Sequence, residues 1–167
     1  SPRFWRAIHW NWPKTIWPYV TLGLALQIVL LAMGRLLPLP KETPFDALLR
    51  RPATVVLIAA FAVTLGPLME ELFFRGFLYP VLARRFGVSV GISFSAFGFG
   101  LLHAAQYGYS WASVLLIFLV GVVLGIVRAA KDSVAAGFLV HAAYNGTIIS
   151  MILIATDGLR HLEKLSQ

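Results

Sequence analysis

The chain has 167 residues, of which 59% are hydrophobic and 13% are charged, and its mean hydropathy is +0.79. Because an average soluble domain carries roughly 25% charged residues, this composition is typical of a membrane protein. The chain contains no cysteine, which excludes a cysteine nucleophile, a disulfide framework, an iron–sulfur cluster and every thiolate zinc site.

The net charge of the chain is +7. Its basic residues are spread over the ends of apolar segments, next to tryptophan and tyrosine, where anionic lipid headgroups attract them. We therefore expect membrane lipid to be the partner of this charge and exclude nucleic acid.

The length of the chain limits the number of membrane spans. A bilayer core about 30 Å thick requires roughly 20 apolar residues per helix, which leaves room for about five spans. We predict an all-α fold, a polytopic transmembrane helical bundle that forms a single membrane domain over residues 1–167. Residues 1–50 would form an N-terminal segment and the first span, and residues 53–155 the core.

The first 17 residues place arginine and lysine among four tryptophans, which predicts an anchor at the membrane interface. The next run, 18–37, is too long for the apolar region of a signal peptide and lacks a clear cleavage site, so we expect a retained first span. A polar loop bounded by prolines follows over 38–52.

The rest of the chain is a series of apolar runs. Pro67 is expected to kink the first of them, because proline cannot donate to the carbonyl of Val63. Gly121 and Gly125 form a GxxxG pair, which permits close packing of helices in lipid. The four further predicted spans cover residues 53–80, 88–106, 111–128 and 133–155.

The distribution of positive charge predicts an orientation. The connections near Arg84 and Arg128 are basic, whereas the connection 104–111 has no lysine or arginine. Since short cytoplasmic loops are enriched in positive charge, we expect the N-terminus to face the cytoplasm.

Five ionisable residues lie within or near the predicted spans, at a cost of about 2.5 to 3.5 kcal/mol each. A structural interpretation pairs Glu71 with Arg75 at i, i+4. Adjacent residues point about 100° apart on a helix, so Glu70 cannot share that pair and is suited to accept a proton from water. The alternative is that Glu70 reaches to the interface. The five residues are Glu70, Glu71, Arg75, His103 and His141.

Each of two further predicted spans carries a histidine one helical turn from a second candidate residue. His103 follows Phe99 at i, i+4, and Asn145 follows His141 at the same spacing, so each pair shares a helix face. A single histidine of this kind is usually a packing residue. Imidazole can also orient water or bind a metal, and an asparagine amide can donate to a developing oxyanion.

These residues form three ordered motifs, E-E-x-x-x-R (Glu70, Glu71, Arg75), F-x-x-x-H (Phe99, His103) and H-x-x-x-N (His141, Asn145). The order and spacing resemble the CPBP family, which contains CAAX prenyl endopeptidases of the Rce1 type and bacterial Abi proteins. The resemblance covers residues 67–145 and implies an intramembrane endopeptidase whose catalytic core is residues 53–155. It also implies a bacterial plasma membrane as the location.

The resemblance implies a role for each motif residue. Glu70 with His103 would activate the attacking water, and Glu71, His141 and Asn145 would support the oxyanion and position the substrate. Arg75 and Phe99 would have structural or orienting roles. Zinc is the one cofactor left open, with Glu71, His103 and His141 as its ligands, although the H-E-x-x-H motif of zinc proteases is absent.

The expected substrate is a peptide or protein segment at the membrane, either lipidated or part of a C-terminal anchor. The alternative is a non-catalytic immunity or scaffold protein of the same fold that binds peptides in a polar cavity. A transporter would be expected to show an inverted repeat, which we do not find. An aspartyl protease would need aspartates at membrane depth, and a rhomboid-like serine protease a G-x-S-G motif; neither feature is present.

Overall fold

The computed structural model of the protein describes residues 2–163, so Ser1 and residues 164–167 of the predicted single domain lie outside the described residues. Short 3-10 helices at Asp46–Arg50 and Ala104–Tyr107 and a π-helix at Leu72–Leu78 join the α-helices. The α-helices are α1 Pro2–Ala7, α2 Trp17–Gly34, α3 Pro52–Val63, α4 Leu65–Glu71, α5 Tyr79–Phe86, α6 Val88–Leu102, α7 Trp111–Lys131 and α8 Val134–Ala155.

The predicted fold class is confirmed: within residues 2–163 the chain forms helices joined by turns and loops, without strands. Within this range four segments are long and apolar enough to cross a membrane, namely Trp17–Gly34, Pro52–Phe86, Trp111–Lys131 and Val134–Ala155. The remaining expected span, α6, is a shorter apolar helix of 15 residues. The bundle is therefore the polytopic one that the composition predicts.

Helix α6 ends at Leu102 rather than at residue 106, because the chain tightens at His103. The His103 N–H donates to the carbonyl of Gly100 at 3.2 Å, and the 3-10 helix then ends at Tyr107, before Gly108, whose φ is 60°. Glycine adopts this left-handed conformation without steric cost. Fifteen residues span roughly 22 Å, so His103 lies inside the thickness of the bundle.

The kink expected at Pro67 takes the form of a break three residues earlier. Thr64 has φ −125° and ψ −87°, which separates α3 from α4. Pro67 has no N–H for the carbonyl of Val63, and the Thr64 hydroxyl donates back to the carbonyl of Ala60 at 2.5 Å. The break changes the direction of the chain directly before the two glutamates.

The π-helix that follows is a wide turn of seven residues between α4 and α5. Its hydrogen bonds run from residue i+5 to residue i, and such turns are frequent at functional sites. Ser95 on α6 donates to its Phe74 carbonyl at 3.1 Å.

Close backbone contacts hold α6 and α7 together. A Cβ added at Gly121 would lie 2.9 Å from the Cα of Ala96, and one added at Gly125 would lie 3.0 Å from Ile92 Cγ2. The GxxxG pair is thus a helix contact, as the sequence predicts. The buried apolar residues between the helices are Leu26, Leu30, Phe74, Phe99, Val120, Leu124, Val127, Ala136 and Val140.

The outer surface of the bundle is apolar. Large side chains on several helices are more than half exposed, which suits contact with lipid tails and not with water. Examples are Ile28, Val29, Leu57, Met69, Phe94, Leu102 and Ile154.

The N-terminal segment lies against the turn between α7 and α8. His9 Nδ1 is 2.7 Å from Asp132 Oδ2, and the Val134 N–H donates to the His9 carbonyl at 3.0 Å. The Trp10 ring packs on Phe138 with centroids 5.8 Å apart. Partial burial opposes ionisation of Asp132, but hydrogen bonds from Arg128 and His9 hold its pKa below the usual value.

Candidate active site

Glu71 and Arg75 form an ion pair in the centre of the bundle. Both side chains are 0% exposed, and Arg75 Nη1 donates to Glu71 Oε1 at 2.9 Å. The π-helix begins directly after Glu71, so the two residues face each other across its first wide turn. The cost of removing two charges from water is offset only when the ion pair has good geometry and further hydrogen bonds.

Further contacts hold Arg75 from the neighbouring helices. Its Nη2 donates to the Gly121 carbonyl at 2.9 Å, and its guanidinium carbon lies 4.7 Å from the centroid of the Phe99 ring. A guanidinium over an aromatic face is attracted by the ring quadrupole. Arg75 therefore links α4, α6 and α7 around the glutamates.

The opposite side of Glu71 faces α8 at a glycine. A Cβ added at Gly137 would lie 2.6 Å from Glu71 Oε2, so this position has no room for a larger side chain. Four residues on, one turn further along α8, His141 is 2% exposed. The glycine thus lets the carboxylate approach the helix that carries this histidine.

His141 bridges the two glutamates. Its Nδ1 is 3.2 Å from Glu71 Oε1, and its Nε2 is 3.5 Å from Glu70 Oε2. Since Glu71 is the ion-paired carboxylate, Nδ1–H donates to it and Nε2 faces Glu70. Each ring nitrogen thus takes the role that its partner requires.

His103 reaches Glu70 from the opposite direction. Its Nδ1 is 2.9 Å from the Phe99 carbonyl, and its Nε2 is 3.7 Å from Glu70 Oε1. A carbonyl only accepts hydrogen bonds, so Nδ1 carries the proton and Nε2 faces the carboxylate. The structure thus brings both imidazole Nε2 atoms to the two oxygens of Glu70.

The antiparallel arrangement around Gly87 explains this meeting. Glu70 lies 17 residues before Gly87 and His103 lies 16 residues after it. The Gly87 φ of 91° allows the tight turn between α5 and α6. Positions that are equally far from the turn lie at nearly the same depth.

Asn145 lies one turn beyond His141 and contacts the break after α3. Its Nδ2 donates to the Ala62 carbonyl at 2.7 Å. This carbonyl has lost its helical partner, because α3 ends at Val63. One amide N–H of Asn145 is thereby used to hold the break, and the second remains for another acceptor.

Glu70, His103, His141 and Asn145 line a cavity of about 380 Å³. Glu71 and Arg75 are not part of its surface and lie behind it. The other walls are mainly apolar side chains of α3, α7, α8 and the loop before α3, including Phe45, Leu49, Leu57, Ile58, Phe61, Ile117, Ile148, Ile149 and Ile152. The polar groups occupy one part of an otherwise apolar cavity.

The loop before α3 joins the cavity wall through the 3-10 helix after α6. The Phe45 N–H donates to the Gln106 carbonyl at 3.1 Å, and the Phe45 and Tyr107 rings stack with centroids 6.5 Å apart. Burial, with a contribution from Asp46, raises the pKa of Tyr107, which keeps its hydroxyl protonated at neutral pH.

The predicted zinc ligands do not form a metal site in the described part of the chain. Within residues 2–163 no group of three or more His, Cys, Asp or Glu side chains is arranged to hold a metal ion. Glu71 Oε1 is bonded to Arg75 and His141, while His103 faces Glu70. This arrangement does not fit zinc binding by Glu71, His103 and His141, and we derive no step through a metal.

Arg128 is a site residue that was not predicted from the sequence, where this arginine was treated only as a basic residue at the end of a span. The side chain is 4% exposed, and its Nε donates to the Arg75 carbonyl at 3.2 Å. The available signal is Pro80. In the i+5 pattern of a π-helix the Arg75 carbonyl would accept from residue 80, and proline has no N–H.

One comparison with known proteins identifies a family for this chain. The family model described as type II CAAX prenyl endopeptidase Rce1-like matches residues 52–147, more than half of the chain and all three motifs. Neither the curated proteins nor the solved structures yield a match. The chain belongs to the Rce1-like family of type II CAAX prenyl endopeptidases.

Proposed function

We propose that the protein is an intramembrane endopeptidase in which Glu70 and His103 activate a water molecule. The observation that carries the proposal is the distance of 3.7 Å between Glu70 Oε1 and His103 Nε2, at the polar part of an apolar cavity. A water that is hydrogen-bonded at about 2.8 Å to each atom spans this separation.

In this mechanism the water donates one hydrogen bond to Glu70 and one to His103 Nε2. Glu70 takes the first proton while the water oxygen bonds to the carbonyl carbon of the substrate. The Phe99 carbonyl accepts from His103 Nδ1–H at 2.9 Å, which leaves Nε2 facing Glu70 and the water. His103 thus orients the water, and Glu70 is the base.

His141 and Asn145 are the proposed support for the oxyanion and the substrate carbonyl. The Nδ1–H of His141 donates to Glu71 at 3.2 Å, which fixes the ring with Nε2 towards Glu70 and the cavity. Glu71 therefore contributes through His141, since its own side chain is 0% exposed. Asn145 contributes the N–H that its bond to the Ala62 carbonyl leaves over.

Collapse of the tetrahedral intermediate completes the reaction. The carbon–nitrogen bond breaks as Glu70 transfers its proton to the leaving nitrogen. One water is consumed, the new acid takes its oxygen, and Glu70 returns to the carboxylate.

The cavity favours an extended substrate with apolar groups near the cleaved bond. Its walls carry aromatic and branched aliphatic side chains of α3 and α8, such as Phe61, Ile148 and Ile152. A lipid-anchored peptide or a C-terminal membrane segment carries such apolar groups and can reach the cavity from the bilayer. We propose this class of peptide as the substrate.

We also propose that the N-terminus lies in the cytoplasm of a bacterial cell. The end of the bundle that holds the N-terminal segment also carries Arg84, Arg85 and Lys131. The positive-inside rule supports this orientation.

The test of the proposed function uses detergent-purified protein and three quenched fluorescent peptides. One ends in a farnesylated CaaX sequence, one is its unprenylated twin, and one is an apolar C-terminal membrane segment. We expect the wild type to cleave at least one of them, and Glu70→Gln to lower kcat by about 10²-fold or more.

A matched control separates chemistry from folding. Glu42→Gln removes an exposed carboxylate outside the site and is expected to match the wild type. Equal turnover by Glu70→Gln and wild type would refute the catalytic role of Glu70. If no probe is cleaved while both proteins bind them equally, the non-catalytic peptide-binding alternative is favoured.

A further inference from the structure

We infer that Arg128 is a positioning residue for the glutamate pair, acting through the carbonyl of Arg75. The expected effect of Arg128 on turnover rests on the proposed function, whereas its expected effect on the π-helix rests on the fold alone. Both effects depend on the hydrogen bonds of the π-helix, which lies directly after Glu70 and Glu71.

The Arg75 carbonyl has no backbone donor. The Tyr79 N–H, its partner in an α-helix, donates to Phe74 instead. Residue 80, its partner in a π-helix, is proline and has no N–H. An unpaired buried carbonyl is costly in a membrane protein, because no water is present to replace the bond.

Arg128 supplies the missing donor from α7. Its Nε donates to the Arg75 carbonyl at 3.2 Å, and its Nη1 donates to Asp132 Oδ1 at 2.7 Å. The guanidinium carbon also lies 5.7 Å from the centroid of the Tyr79 ring. These three contacts hold the guanidinium and restrict its movement away from the carbonyl.

The position of this bond is what links it to the site. Arg75 holds Glu71 with its side chain, and Glu71 holds His141. Arg128 bonds to the backbone of the same arginine. Loss of the bond would let the π-helix change register, which would displace Arg75 and both glutamates. A displacement of about 1 Å in a catalytic group can cost roughly 10²-fold in rate.

The test is a double-mutant cycle between positions 128 and 80. Arg128→Met keeps most of the side-chain volume but removes the donor, whereas Pro80→Ala gives residue 80 an N–H that can bond to the Arg75 carbonyl. We expect Arg128→Met to lower kcat about tenfold to a hundredfold with little change in KM. If Arg128→Met lowers kcat a hundredfold, the double variant with Pro80→Ala should have a kcat at least tenfold higher than that of Arg128→Met alone.

Hydrogen–deuterium exchange supplies a readout that does not depend on turnover. Amides of residues 72–86 should exchange at least fivefold faster in Arg128→Met and return towards the wild-type rate in the double variant. Lys131→Ala, which removes an exposed cation from the same end of α7, should leave both readouts unchanged. Should Arg128→Met not fold, Arg128→Lys, which keeps the charge but lacks Nε, takes its place in the cycle.

The outcomes separate this inference from the proposed function. Unchanged exchange in Arg128→Met, or no recovery on adding Pro80→Ala, overturns the role of Arg128. If no peptide is cleaved by any form but the exchange cycle behaves as expected, the proposed function fails and the structural role of Arg128 stands.

Discussion

At the scale of single residues, the site depends on how one carboxylate is made different from its neighbour. Glu71 is 0% exposed and ion-paired, whereas Glu70 is 22% exposed and faces two imidazoles. Both are adjacent on one helix, and the rotation of about 100° between them sends one towards Arg75 and one towards the cavity. This division supports a base at Glu70 and a fixed anion at Glu71.

The buried ion pair leads to a prediction about stability. Arg75→Met leaves the Glu71 carboxylate buried and unpaired, which should lower the free energy of unfolding by about 3 to 5 kcal/mol. Adding Glu71→Gln removes the uncompensated charge and should restore more than half of the loss. Unfolding in detergent, followed by circular dichroism, measures both, and purely additive losses would contradict the expectation.

His103 leads to a prediction about turnover. Glutamine places its amide near the former Nε2 position but cannot act as the imidazole does, so His103→Gln should lower kcat by about 10² to 10⁴-fold with a smaller effect on KM. His161→Asn, a change at an exposed histidine of the C-terminal turn, serves as the matched control. A KM effect alone would instead indicate that His103 only binds substrate.

At the scale of the helices, close packing fixes the relative height of the proposed catalytic residues. The contact of Gly121 with Ala96 sets α7 against α6, and the Gly121 carbonyl also accepts from Arg75. The same glycine therefore serves helix contact and ion-pair geometry. The positions of Arg75 and of its partner Glu71 thus depend on Gly121, a residue without a side chain.

Gly121→Ala should consequently affect both stability and activity. The added Cβ would lie 2.9 Å from the Ala96 Cα, so α6 and α7 must separate, at a cost of about 1 to 3 kcal/mol. In Gly146→Ala the nearest atom is Val63 Cγ1 at 3.9 Å, and no loss is expected. Thermal unfolding of the two variants compares them, and equal melting temperatures would refute the packing argument.

At the scale of the whole molecule, the N-terminal segment is tied to the bundle through the side chain of Asp132. His9 and Arg128 both bond to Asp132 at 2.7 Å. Since the pKa of Asp132 is lowered in the fold, its contribution is present above the ordinary value of 3.8 and is lost as pH falls below it. The exposed position of Asp132 makes this contribution small.

Asp132→Asn should therefore release the N-terminal segment without unfolding the bundle. We expect faster hydrogen–deuterium exchange in residues 2–12 and a melting temperature within a few degrees of wild type. The wild type should show the same release when the pH is lowered through 4 to 3. Unchanged exchange in both experiments would show that the remaining contacts, among them the Val134 N–H bond to the His9 carbonyl and the packing of Trp10 on Phe138, hold the segment without the Asp132 carboxylate.

The sequence by itself determined the membrane class, the helical fold and the family motifs. Hydrophobic composition dictates membrane helices, and the i, i+4 spacing puts Glu71 beside Arg75 on one helix. Pro67 and Pro80 also mark where the backbone must lose hydrogen bonds. These conclusions follow from local chemistry and need no knowledge of neighbouring helices.

Only the tertiary structure decided which groups meet. The break at Thr64, the early end of α6 and the π-helix result from competition between backbone hydrogen bonds and side chains of other helices, such as Asn145 on Ala62 and Ser95 on Phe74. The distances from Glu70 to His103 and His141 follow from these irregular elements. A local pattern cannot supply them, because each depends on a partner far away in the chain.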